Sequence, residues 1–307
     1  MIINKLHGRI IILISFIFFF FSPKIAHAQT LSLSVWPPIL ETVIQPGKAI
    51  TQVYKLQNLG DDVTIKASII PFEPTDNLGN ITLKKSDPVP AFFSLQSADM
   101  TELPATFPLK SGQTRELVLK ISIPPTTPEA DYLMTFLFES TTQGLISGTG
   151  TTTLTSIGSN ILLTISQTGQ LAPVAKIENF LSKSVYDSFE PINFSLLVKN
   201  TSNTRLKAVG QIEIKNIFGG TSATIPLRED NVLAHSTRQL QPEITVPHLI
   251  FGRFTAKATI TPQDTTNTIS QTITFYVLPY KALLLLGLIA TMIILTKKNP
   301  LKWPHKK

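Results

Sequence analysis

A two-residue rhythm that returns along most of the chain narrows the fold more than any other feature. Val63, Ile65, Ala67 and Ile69 alternate with Thr64, Lys66 and Ser68, and the same pattern recurs in Leu117–Ile123 and Tyr132–Phe138. It returns in Phe194–Val198, at Ile212 and Ile214, in Phe254–Ile260 and in Ile273–Val277. Successive side chains of a strand leave opposite faces of a sheet, so this spacing predicts strands with one buried face. Pro, Gly and Asn turns separate the stretches, and no amphipathic helical repeat interrupts them before residue 280. Many short strands punctuated by turns predict an all-β chain built as sandwiches.

The strands also repeat as a set. Leu56-Gln57-Asn58 followed by a polar turn is echoed by Val198-Lys199-Asn200, and Gly112-Gln113-Thr114-Arg115 by His235-Ser236-Thr237-Arg238. Ile121-Ser122-Ile123-Pro124 matches Ile244-Thr245-Val246-Pro247, and Asp131-Tyr132 matches Arg253-Phe254. The offset is 142 residues at Asn58/Asn200 but 123 at Arg115/Arg238 and Pro124/Pro247, so the first copy holds 19 more residues between the two points. The reading is therefore two tandem immunoglobulin-like β-sandwich domains, residues 29–172 and 173–279, with an insertion within 71–108 of the first. The Thr/Gly/Ser-rich stretch from Ser140 to Ser159 reads as a mobile hairpin loop.

Both ends carry membrane signals. Lys5 and Arg9 precede an apolar stretch from Ile10 to Phe21, and Ala26-His27-Ala28 follows, which is the order of a secretory signal peptide over residues 1–28. At the other end Ala282 to Leu295 is apolar but for Gly287 and Thr291, with Tyr276 and Tyr280 before it. Lys297, Lys298, Lys302, Lys306 and Lys307 come after it. The expectation is one transmembrane helix over 280–296 and a basic cytoplasmic tail over 297–307. Tyr280 lies at the outer interface, Lys281 snorkels to the headgroups, and Lys297, Lys298 and Lys302 hold the inner side. Localisation follows: single-pass in the cell membrane, ectodomain outside.

The formal net charge of +7 belongs to these ends, which hold nine of the basic residues and no acid, leaving −2 for residues 29–280. No basic patch calls for nucleic acid. The chain has no cysteine, which removes thiolate metal sites, thiol nucleophiles and redox work. His235 and His248 are the only histidines between the ends, and both read as solvated loop residues rather than as a base or metal ligand. Gly144-Leu145-Ile146-Ser147-Gly148 has the wrong spacing for a nucleophile elbow. Asp76-Asn77-Leu78-Gly79-Asn80 lacks the later acids of a calcium loop. The reading is not an enzyme, with no cofactor.

Several motifs of the second copy carry a family resemblance. They are Lys199-Asn200-Thr201-Ser202-Asn203, Gly210-Gln211-Ile212-Glu213-Ile214, Asn216-Ile217-Phe218-Gly219, Phe251-Gly252-Arg253-Phe254 and Phe275-Tyr276-Val277-Leu278-Pro279-Tyr280. In this order they resemble the WxL-interacting proteins of Gram-positive surfaces and their membrane-anchored relatives. Pro37-Pro38, Pro46-Gly47 and the Asn58 turn of the first copy are similar to that family's N-terminal domain, which has the sandwich layout of pilus chaperones. The resemblance implies a first domain that binds peptidoglycan or another wall polymer and a second that binds a surface protein.

From the residues themselves, the insertion is the candidate binding element. Phe72, Phe92, Phe93 and Phe107 lie among its prolines, as contact area on a stiffened loop or as a cap on the open end of the sandwich. Trp36 beside Pro37-Pro38 is either a sugar platform or a strand-end anchor. The leading function is a membrane-anchored envelope protein that binds wall polymer or a partner surface protein. The alternative is an assembly or chaperone-like subunit that works by β-strand augmentation.

Overall fold

The computed structural model describes residues 32–97, 99–140, 155–171, 173–242, 251–263 and 265–298. The segment read as a signal peptide, residues 141–154 of the Ser140–Ser159 stretch, His248, and residues 299–307 of the tail with Lys302 among them, lie outside them.

Each alternating stretch falls in a strand, with Ile123 and Phe194 one residue beyond the strand ends. In the first sandwich one sheet has the order β1 (Leu33–Trp36), β3 (Ala49–Asn58), β8 (Thr114–Ser122), β6 (Phe93–Leu95). The facing sheet runs β2 (Ile39–Ile44), β10 (Ser156–Ile165), β9 (Ala130–Ser140), β4 (Val63–Pro74), with β5 (Ile81–Leu83) and β7 (Ala105–Leu109) both pairing with β4. The second sandwich repeats this order without a counterpart of β6. Its smaller sheet is β11 (Ala175–Leu181), β13 (Ser195–Asn200), β17 (Thr237–Leu240). Its larger one is β12 (Val185–Asp187), β19 (Ile269–Leu278), β18 (Gly252–Pro262), β14 (Leu206–Asn216), with β15 (Thr221–Pro226) and β16 (Asp230–Val232) on β14.

In both copies the opening strand changes sheets. β1 pairs antiparallel with β3, the chain turns at Pro37-Pro38, and β2 then pairs parallel with β10. β11 and β12 make the same switch onto β13 and β19. The surplus of the first copy supplies β6, an added edge on β8. The last four residues of the Ser140–Ser159 stretch are not loop, because Ser156–Ser159 open β10 and pair with Phe136–Glu139.

Each sandwich closes over its own core. Tyr54, Leu56, Ile65, Leu117, Phe136 and Ile161 are among the fully buried residues of the first, and Phe180, Tyr186, Leu196, Ile212 and Phe275 of the second. The duplicated asparagines explain why the turns repeat. Asn58 is buried, donates from Nδ2 to the carbonyls of Asp61 (2.6 Å) and Leu109 (3.1 Å), and accepts from the Gly60 N–H at Oδ1. Asn200 is buried too, donates to Thr204 O (2.8 Å) and Val232 O (3.0 Å), and accepts from the Ser202 N–H. Each amide thus staples the end of β3 or β13 to the small strand that flanks β4 or β14. Gly112 and His235, aligned by sequence, share a left-handed backbone, at φ 72° and 57°.

Past β19 the chain enters α1 (Tyr280–Lys298). Its leucines and isoleucines are exposed on every side, from Leu283 at 60% to Leu288 at 68% and Leu295 at 59%. A helix that is apolar all round is not built to lie against a protein surface in water. Among the described residues no helix is long and apolar enough to cross a membrane. The apolar run Ala282–Leu295 is about 21 Å long at 1.5 Å per residue.

Candidate partner-binding surfaces

The structure places the insertion's phenylalanines inward. Phe93 and Phe107 are in the first core, at 8% and 3% exposure, and Arg115 stacks its guanidinium over the Phe107 ring at 4.6 Å. Phe92 packs against that core and meets Tyr132 edge-on at 5.3 Å. Phe72 is buried on the opposite face of β4 from Ile65 and Ile69, where it lines the seam between the sandwiches. Of the five residues singled out by sequence for binding, only Trp36 is open, at 66% exposure.

The start of the insertion serves the seam. The turn between β4 and β5 is organised by Asp76, whose carboxylate accepts from the Leu78 and Asn80 N–H groups and from Asn80 Nδ2. The Asn80 amide is the main reason its carboxyl is held below the usual range. The turn docks on the second sandwich, where the Gln239 N–H of β17 donates to Asn77 O at 2.7 Å. Arg238 packs so closely on Gly79 that a Cβ there would lie 1.5 Å from Nη1. Asn231 Nδ2 donates to Glu41 Oε1 at 2.6 Å. Deeper in the seam Arg205, 5% exposed, points Nη1 at Thr164 Oγ1 (3.5 Å), and Thr164 donates to Asp131 Oδ1 (2.6 Å). Burial raises the Asp131 carboxyl above its ordinary range, opposed by the Thr164 hydrogen bond and by Arg205. A cleft of about 250 Å³ remains between the sandwiches, walled by Ile39, Phe72, Leu162, Asn231 and Arg238.

The rest of the insertion roofs a second cleft, of about 440 Å³, on the outer face of the larger first-copy sheet. Lys66, Ser68, Lys85, Val89, Leu103 and Glu139 line it, and Lys85 Nζ donates to Glu139 Oε1 at 2.6 Å. Ser68 Oγ is buried there with no hydrogen-bond partner among the described residues.

Exposed sheet edges are the other places where a protein could bind, and most carry a device that discourages pairing. β17 is covered by Asn77, and β6 is three residues long with its Leu95 N–H donated to Thr101 O. β11 is bulged between Ile177 and Asn179 and carries Lys176 and Glu178. β15 is bulged beside Ala223 and ends in Pro226, β7 contains Pro108, and β5, β12 and β16 are three residues each. On β2, Glu41 is engaged by Asn231. β1 differs. It is uncharged and in unbroken register with β3 from Leu33↔Asn58 to Trp36↔Lys55. The Leu59 N–H donates to Ser32 O at 2.8 Å, which makes Ser32, Ser34 and Trp36 the residues bonded to β3. Leu33 and Val35 therefore aim their N–H and C=O groups outward, where no backbone partner meets them among the described residues. Trp36 stands at the end of this edge on the outer face, opposite Lys55, which pairs with Glu116 at 3.1 Å. Val53, 42% exposed, is two residues along β3 from Lys55 on that same face.

No family model matches the chain, and no curated protein matches it, so the resemblance to WxL-interacting proteins has no family-level support. Among solved structures the chain is similar to pilus chaperones. It matches the class 5 fimbriae chaperone CfaA at 10% identity over 78% of this chain and 98% of that one, with a TM-score of 0.41. It matches a chain of the Salmonella enterica SafA pilin–SafB chaperone complex at 12% identity over 80% and 99%, with a TM-score of 0.39. The E. coli chaperone DraB matches at 12% identity over 80% and 95%, with a TM-score of 0.37. At TM-scores this low the likenesses carry no argument, and the two-sandwich layout rests on the strand order above.

Proposed function

We propose that this chain is a non-enzymatic subunit of a cell-envelope assembly, exported, held at a membrane by α1, and engaging a partner protein by strand addition to β1. The observation that carries the reading is the state of β1, an uncharged, unbulged edge with two outward backbone pairs and an exposed Trp36 beside it. An added strand gains main-chain hydrogen bonds there and apolar contact on the indole. The anchor is supported by the uncovered apolar surface of α1 and by the lysines at its two ends. Long lysine stems at Lys281 and Lys297 offset part of the difference between its about 21 Å apolar run and a hydrocarbon core of about 30 Å.

The test is capture from envelope extracts by the full chain in detergent. Leu33→Pro deletes one outward N–H and leaves the bonds to β3 in place, so it abolishes capture, while Leu33→Ala retains it. Equal capture by both variants, each shown to be folded, rules out strand addition at β1.

A second reading has its own observation. The 440 Å³ cleft under the insertion, with a buried unpartnered Ser68 hydroxyl, has the size and polarity of a small-ligand site and suits a wall sugar. Sedimentation with wall polymer that is lost in Ser68→Val but unchanged in Leu33→Pro supports that reading over the first.

A further inference from the structure

One end of the second sandwich carries large apolar side chains where turns are ordinarily polar. Phe218 is 93% exposed, Phe189 76%, Phe251 68% and Ile217 65%, and Tyr280 stands beside them at 37%. Strand register brings them together. Asn216 at the end of β14 is opposite Phe254 near the start of β18, Gly252 is opposite Val277 near the end of β19, and Asp187 at the end of β12 is opposite Leu278. All of these strand ends are at the end of the sandwich from which α1 departs.

The turns that present the rings are built firmly. Asn216 Oδ1 accepts from the Phe218 and Gly220 N–H groups (both 3.0 Å), and the Gly219 N–H donates to Asn216 O. Asp187 accepts the Phe189 N–H at Oδ1 (3.2 Å) and the Lys281 N–H at Oδ2 (3.0 Å), so one carboxylate holds an exposed ring and the first turn of the helix. The acids at this end are occupied: Asp187 caps α1, Glu190 is bonded to Lys183, and Glu213 to Lys215 and Thr221. Arg253 and Lys281 are exposed cations of the same end.

We infer that Phe189, Ile217, Phe218, Phe251 and Tyr280 form a lipid seat, a rim around the root of α1 that dips into the headgroup region of the outer leaflet. Apolar and aromatic side chains with exposed cations, and acids that are all engaged, match that layer. A water-exposed apolar cluster of this kind needs an occupant, and its continuity with α1 makes the lipid surface the one that is always within reach. The seat rests on the reading of α1 as a membrane anchor. It adds that the ectodomain stands on the bilayer through its own loops rather than swinging from a tether.

The test uses the full chain in liposomes of phosphatidylcholine and phosphatidylglycerol, with bromine on the shallow acyl carbons. Trp303 is first replaced (Trp303→Phe), leaving Trp36 as the internal reference, and Phe218→Trp or Phe251→Trp is then added. Side chains seated about 5–10 Å into the interface are quenched about two-fold, while Trp36 is unchanged. If the chain resists alkaline carbonate extraction yet both new tryptophans stay unquenched, the seat is overturned and the anchor stands. A chain that washes off overturns both. Unquenched tryptophans with cross-links between copies at Phe218 assign the rim to a second copy, which also overturns the seat.

Discussion

Asn200→Ala tests whether the repeated Asn turn is the fastener it looks like. The side chain is fully buried, and its amide satisfies two buried carbonyls, Thr204 O and Val232 O, in addition to accepting from Ser202. Alanine takes the side-chain donor away from both carbonyls. At about 1–3 kcal/mol for each stranded group, the loss is about 2–6 kcal/mol. That is a large part of a domain stability of about 5–15 kcal/mol. Because two sandwiches need not unfold together, the readout is native-state hydrogen exchange on the full chain, strand by strand. Asn200→Ala speeds exchange in β13 and β16, and Asn58→Ala does the same in β3 and β7, with little spread between copies. Asn200→Asp keeps the acceptor toward Ser202 but turns an oxygen on two carbonyls, so it destabilises at least as much as alanine. A loss below about 1 kcal/mol, the net worth of one ordinary hydrogen bond, would falsify the staple.

Three other outcomes follow from particular contacts. Gly79→Ala meets both a φ of +95° and the Arg238 guanidinium, so exchange at the Gln239 amide rises while the cores keep their protection; unchanged exchange there removes the docking role of the turn. Tyr54 is buried with no well-formed hydrogen bond to its hydroxyl, and burial pushes the phenol up to about 12, with Ser159 acting to a lesser extent the other way. A folded value above the unfolded value of about 10 contributes stability that is complete below pH 10 and lost as pH rises toward 12, up to about 3 kcal/mol. Tyr54→Phe removes that alkaline increment in urea titrations, and an unchanged slope refutes it. Asp131 is raised by burial, so its contribution is complete below the ordinary carboxylate value of about 3.9 and declines as pH rises through the folded value. Asp131→Asn removes that dependence from exchange at the Arg205 and Ala234 amides.

The strands were legible because side-chain alternation is a local property of extended backbone, and the copies were legible because Asn58/Asn200, Arg115/Arg238 and Pro124/Pro247 recur in order. What those residues do was not, since Asn58 works on Leu109 and Asn200 on Val232, strands away. The insertion's aromatics show where composition runs out: a phenylalanine reads the same whether it faces a core, a seam or water. Phase was the overlooked signal for Phe72, an even-numbered residue on a strand whose first core positions, Val63 to Ile69, are odd. The pairing of Arg205 with Thr164 and Asp131 left no mark in the sequence, because it joins two domains through residues with no shared spacing. The rim did leave one. Phe189 follows Asp187-Ser188, Phe218 precedes Gly219-Gly220, and Phe251 precedes Gly252, so each is a large apolar side chain in a setting that favours turns.

The seam and the rim lie at opposite ends of one strand. β14 begins beside Arg205, which reaches the first sandwich, and ends at Asn216, which shapes the turn carrying Phe218. Its eleven residues cover about 34 Å at 3.4 Å per step. The second sandwich is therefore a spacer of that length between helix and first sandwich. It is fixed at one end by the Asp187 carboxylate on the Lys281 N–H and at the other by contacts from Asn77, Gly79, Thr164 and Glu41. The Lys281 N–H is the main reason the Asp187 carboxyl is held below its usual range. That fixture is complete above the ordinary carboxylate value of about 3.9 and lost as pH falls through the lower folded value. Asp187→Ala releases both the Phe189 turn and the first helical turn at neutral pH, seen as faster exchange at the Phe189 and Lys281 amides. Asp187→Asn, which keeps an acceptor oxygen, protects the Phe189 amide better than alanine and loses its dependence on acid. If exchange at these two amides in the unmodified chain stays level as the carboxylate is protonated, the carboxylate does not join helix to sandwich, and the spacer is hinged at its base.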